Sequence, residues 1–135
     1  MKETVILLTA VEDAVELRRR ITEESGFEPS DGSLPFSYLS SDGCSYGIDL
    51  SQSVLAEYDD EERDTVSSQV GEIEAILVEY PNVACLKMLL RKFLHGLSGV
   101  LDTNYDEFIP YDEVLRRTRD ENWDPRRPLP EAGDA

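Results

Sequence analysis

The chain has 135 residues, 40% of them hydrophobic, and its 29 acidic against 13 basic residues leave a formal net charge of −16. That length suits one domain able to bury its own core, and the apolar content stands well above that of disordered chains. The acid excess argues against a protein that grips nucleic-acid phosphates or an anionic membrane surface, since both would repel it.

Lys2 to Thr9 carries Val5, Ile6, Leu7 and Leu8 in a row, the mark of a buried strand. The apolar stretch Val5 to Ala10 is too short for a signal-peptide core, and acids follow it at once. No stretch approaches the roughly 20 apolar residues that cross a bilayer. A cytoplasmic protein is expected, with Cys44 and Cys85 as free thiols.

Thr9, with Glu12 three residues on, reads as a capping box opening a helix over 10–25 that stops at Gly26. Acids come early in it and Arg18, Arg19 and Arg20 late, as the macrodipole prefers. Residues 28–34 are turn chemistry. Apolar residues alternate on both sides of Ser41-Asp42-Gly43, which predicts a hairpin of strands at about 35–40 and 45–50.

Over 51–80 the pattern is ambiguous. Val66, Val70, Ile73, Leu77 and Tyr80 step as on a helix, while Ile73, Ala75 and Leu77 alternate as on a strand. With Gly71 weakening a single long helix, the expectation is a short helix or turn around 52–65 and a strand at about 70–80. Asn82 is a candidate N-cap for a helix over 83–97, whose apolar face runs from Leu86 to Leu97 and whose other face carries Lys87, Arg91 and Lys92. Val100-Leu101 starts a last strand, 107–109 returns as its partner, and 110–119 reads as a terminal helix. Residues 1–119 then form the domain and 120–135 a mobile tail rich in Pro and Gly. The order predicts an α+β fold of split β-α-β (ferredoxin-like) type, with a mainly antiparallel sheet and its helices packed on one face. The other face, or the acidic edge, is left for a partner.

No constellation assembles a catalytic centre, so no enzyme and no cofactor are expected. Any His-dependent nucleophile must use His95, the only histidine. Cys85 precedes it by ten residues, about 15 Å along a helix. Phosphate-binding glycine loops are absent. The carboxylates are many, but most lie in hydrated charge runs that leave pKa values unraised. Asp102, Asn104, Asp106 and Glu113 match positions 1, 3, 5 and 12 of an EF-hand calcium loop over 102–113, yet Glu107 stands where the loop needs glycine. The competing reading is a turn followed by a helix start at Pro110.

Between Val54 and Tyr80 nine acids face one base, Arg63. Each acid alone reads as part of a solvated face, but their concentration reads as a docking surface for a basic protein. Glu57, Asp59, Asp60, Glu61, Glu62 and Asp64 are the candidate contacts. The short length, the split β-α-β order, the acidity and the run CLKMLLRKFLHGLSGVLDTNYDEFIPYDEVLRR together resemble the small cytoplasmic immunity proteins of bacterial polymorphic-toxin systems. The resemblance implies a non-catalytic inhibitor that binds one cognate toxin, in many cases a basic nuclease. Two alternatives stand beside it: a calcium-binding module at 102–113, and a small enzyme with an unrecognised carboxylate site. Oligomeric state is not readable from the sequence.

Overall fold

The computed structural model of the chain describes residues 3–30 and 36–127. β1 (Glu3–Ala10) leads straight into α1 (Val11–Thr22), followed by the short β2 (Phe27–Glu28) and the hairpin of β3 (Ser37–Ser41) and β4 (Cys44–Asp49). A 3-10 helix (Ser53–Glu57) and α2 (Asp60–Val70) come next, then β5 (Ile73–Tyr80), α3 (Val83–Phe93), β6 (Gly99–Asp102), β7 (Phe108–Pro110) and α4 (Tyr111–Arg117). The fold is α+β: the seven strands make one sheet in the order β2-β3-β4-β5-β1-β6-β7, and each neighbouring pair is antiparallel.

β1 is central, which is why its sequence is apolar without alternation. Val5 and Leu7 belong to the large core under α1 and α3, while Ile6 and Leu8 belong to a second core on the other face. β5 divides likewise, with Ile76, Val78 and Tyr80 on the first side and Ala75 and Leu77 on the second. In β6, Leu101 lies opposite Leu7 and Val100 opposite Leu8, so both layers continue across the sheet.

This two-sided burial corrects the expectation of helices on one face. The second face of β5, β1 and β6 is apolar and cannot be left to water. The 3-10 helix and α2 cover it, with Val54 and Val66 buried and Leu55, Tyr58 and Val70 packed around them. The ambiguous stretch over 51–80 therefore holds both a helix and a strand. The helix runs to Val70, five residues beyond its expected end, and Gly71 follows it at φ 81°.

The hairpin has the tight turn its Asp-Gly predicts. Asp42 and Gly43 sit at φ 53° and 81°, and Ser41 pairs with Cys44. The Thr9 capping box does not form. Thr9 lies within β1, where its hydroxyl meets the Tyr111 hydroxyl at 2.8 Å, and α1 starts without a side-chain cap. Nor does Gly26 stop α1, which ends at Thr22. Gly26 lets two backbones touch: its carbonyl accepts from Ser40 N at 3.0 Å, and a β-carbon there would fall 1.9 Å from Ser40 O.

Two further expectations change. Cys44 and Cys85 are not free thiols but form a disulfide, with Cα atoms 5.8 Å apart, which ties β4 to the first turn of α3. The sequence separation of 41 says nothing about this proximity, which arises only when α3 packs over β4. The expected mobile tail begins with packed chain. Trp123 is 4% exposed and belongs to the main core, and turn hydrogen bonds run on to Arg127. Residues 128–135, the rest of that stretch, lie outside the described residues, as do 31–35 of the expected turn.

Candidate functional site

The expected acidic site forms one outward ridge on the sheet face opposite α3. The N-terminus of α2 builds it. Asp59 is the N-cap and accepts from Glu62 N at 2.7 Å, while Glu62 accepts from Asp59 N at 3.1 Å, a reciprocal capping box. Asp60, Glu61 and Glu62 in the first turn also favour the positive end of the helix dipole. The capping box and the 3-10 helix before it hold the run as a rigid corner.

Glu57, Asp59, Asp60, Glu61, Glu62 and Asp64 are all exposed, and none forms an ion pair among the described residues. Asp59 and Glu62 already serve the helix end. Glu57, Asp60, Glu61 and Asp64 are exposed and their carboxylates make no ion pair or hydrogen bond among the described residues. The other acids of the same stretch disperse. Glu74 pairs with Arg18 of α1, and Glu79 lies against Gly47 of β4. The fold thus keeps 57–64 together and removes 74 and 79 from it.

Beneath the ridge Tyr58 donates to the Asp102 carboxylate. Burial, helped by that carboxylate, pushes the Tyr58 phenol well above its ordinary value. This bond joins the ridge to β6, and it occupies the first residue of the calcium-like loop. Asp102 also accepts from Asn104 N, and Glu113 is engaged by Arg116 and Arg117. The loop is a strand-turn-strand, with Asn104 and Asp106 both at φ 65°. Among the described residues no three His, Cys, Asp or Glu side chains converge as metal ligands.

His95 lies just past the end of α3 with its side chain exposed, while its carbonyl accepts from Arg20 at 2.8 Å. Cys85 is tied up in the disulfide, so no Cys-His pair exists.

One feature has a weaker signal in the sequence. Lys87 and Arg91 of α3, together with Arg119, Trp123, Arg126 and Arg127, line an open cleft of about 730 Å³. The sequence shows Lys87 and Arg91 only as the polar face of a helix. The one clue is the lone tryptophan beside Arg126-Arg127, because nothing local brings that segment against α3.

Fold and surface together define the chain as a small α+β domain with helices on both sheet faces and a rigid, unpaired acidic corner on one of them. Compared with known protein families, curated proteins and solved structures, the chain finds no match in any of the three.

Proposed function

We propose that the protein is a non-catalytic inhibitor that binds a basic protein partner, as an immunity protein binds its toxin. The observation that carries this reading is the set of exposed, unpaired carboxylates held rigidly at 57–64 by the Asp59–Glu62 capping box. Charges fixed before contact lose little freedom on binding, and a dense patch of one sign steers an oppositely charged protein into place. The strand order supports a split β-α-β core as its scaffold. β5 and β6 run parallel with β1 between them, and β1 and β4 run parallel with β5 between them.

The same reading expects a cytoplasmic protein. No described helix is long and apolar enough to cross a membrane. The buried Cys44–Cys85 bridge stands against the cytoplasm, because disulfides persist mainly in oxidising compartments.

The test is charge reversal at Glu57 and Asp64, which leaves the capping pair and the acids of the first turn of α2 intact. The partner to be used is any toxin-like domain whose reading frame is found to adjoin that of this chain. The variant is expected to melt like the parent, to associate with that domain at least about tenfold more slowly at low salt, and to lose part of its protection against it. Equal association rates for parent and variant would overturn the proposal.

A further inference from the structure

In this chain carboxylates outnumber cations 29 to 13. Nearly every cation should therefore find an acid, and most do. Lys87, Arg91, Arg119 and, on α2, Arg63 do not: none has a carboxylate within ion-pair distance among the described residues. The first three line one cleft, whose wall holds five cations against the two acids Glu121 and Asp124. Lys87 is 9% exposed, and its ammonium donates to Asp120 O at 2.9 Å and lies 6.0 Å from the Trp123 ring centroid. Arg91 donates to Thr118 O at 3.1 Å through one nitrogen. Carbonyl oxygens hold these cations in place without neutralising them. A charge this buried needs a countercharge more than a surface one does.

Two more features belong to the same wall. Trp123 is buried in it, and its indole N–H has no acceptor among the described residues. Val83 and Ala84 of the first turn of α3 line the cleft as well, so the wall runs along one side of that helix from its start to Arg91. Arg126 and Arg127 stand at the rim and share Asp124, so one carboxylate serves two guanidinium groups.

We propose that this cleft binds a small multivalent oxyanion, a molecule of metabolite size bearing phosphoryl or carboxylate groups. The cleft has the volume of a small-molecule site. The net charge sets the size of the ligand. A long polyanion would run out of the cleft onto a surface that repels it, whereas a compact anion stays within reach of the local cations. The cleft lies across the sheet from α2, so its role stands or falls separately from that of the acidic ridge.

Trp123 is the single tryptophan, so its emission reports the cleft directly. The full chain is titrated at low ionic strength with pyrophosphate and, in parallel, with citrate, against sodium chloride at matched ionic strength. The expected result is a saturable change in emission with at least one of the two. The tighter binder identifies the anion as phosphoryl or carboxylate. Arg91→Gln and Arg119→Gln alter exposed side chains, so both should melt like the parent while weakening binding about tenfold each. Arg63→Gln, on α2, should bind like the parent. The proposal is overturned if neither anion acts beyond the salt control, or if Arg91→Gln and Arg119→Gln bind as the parent does.

Discussion

Gly99 opens β6 beneath the ring of Tyr111. A β-carbon there would lie 2.3 Å from Tyr111 Cε2 and 2.5 Å from Leu8 O, so neither a ring nor a backbone has room for it. Tyr111 cannot swing away cheaply, because it is buried and its hydroxyl meets Thr9. Gly99→Ala is therefore expected to cost about 1–3 kcal/mol or more, read as a lower urea midpoint at unchanged slope. The tyrosines also set an alkaline limit. Burial raises the Tyr46 and Tyr80 phenols from 10.0 to about 12. The folded state thus holds these protons more tightly than the unfolded chain does. Their stability contribution is whole below pH 10 and is lost as pH climbs through about 12. Tyr80 is the clean probe, because its buried hydroxyl has no partner among the described residues. Tyr80→Phe should leave the neutral-pH melt unchanged or slightly raised and flatten the alkaline fall. An equally steep fall in the variant would remove Tyr80 as a cause.

At the scale of elements, β4 and α3 are joined covalently. The Cys44–Cys85 bridge closes a segment of 41 residues that includes α2 and β5. Constraining the unfolded chain over such a loop stabilises by about 2–4 kcal/mol. Reduction, or Cys44→Ala with Cys85→Ala, is expected to lower stability by that amount without unfolding the sheet, which keeps its apolar cover on both faces. Melting with and without reductant checks it, and identical midpoints would show that the bridge contributes nothing. The elements differ in how clearly the sequence announces them. α3 is legible because its apolar face and its Asn82 cap are both local, and Asn82 accepts from Cys85 N at 2.8 Å. α2 is harder to read because it buries little beyond Val66 and its surface is acid. Its start is nevertheless written in Asp59 and Glu62, a capping pair that apolar periodicity overlooks. The Thr9–Glu12 pair has the same spacing and fails, since the strand holds Thr9 for Tyr111. Spacing alone cannot separate the two.

For the whole molecule, a net charge of −16 on one small domain means self-repulsion that folding concentrates. The melting temperature should therefore rise with sodium chloride between low and physiological ionic strength, as screening weakens repulsion among exposed acids. Differential scanning calorimetry across a salt series checks this; a midpoint that falls or stays flat would mean that ion pairs such as Arg18–Glu74 and Arg117–Glu107 outweigh the repulsion. The charges are also sorted in space. The acids of 57–64 gather on one side of the sheet with Arg63 among them, and three further unpaired cations, Lys87, Arg91 and Arg119, gather on the other.

The sequence by itself determined the strands other than β2, the hairpin turn, the start and apolar face of α3 and the position of the acidic run, because each depends on neighbours within a few residues. Tertiary structure decided the rest: the second covered face of the sheet, the Cys44–Cys85 bridge, the packing of Trp123 and the cleft of cations around it. These join residues tens of positions apart, and their pairing is set by which apolar faces must be hidden from water together, a condition no local pattern records.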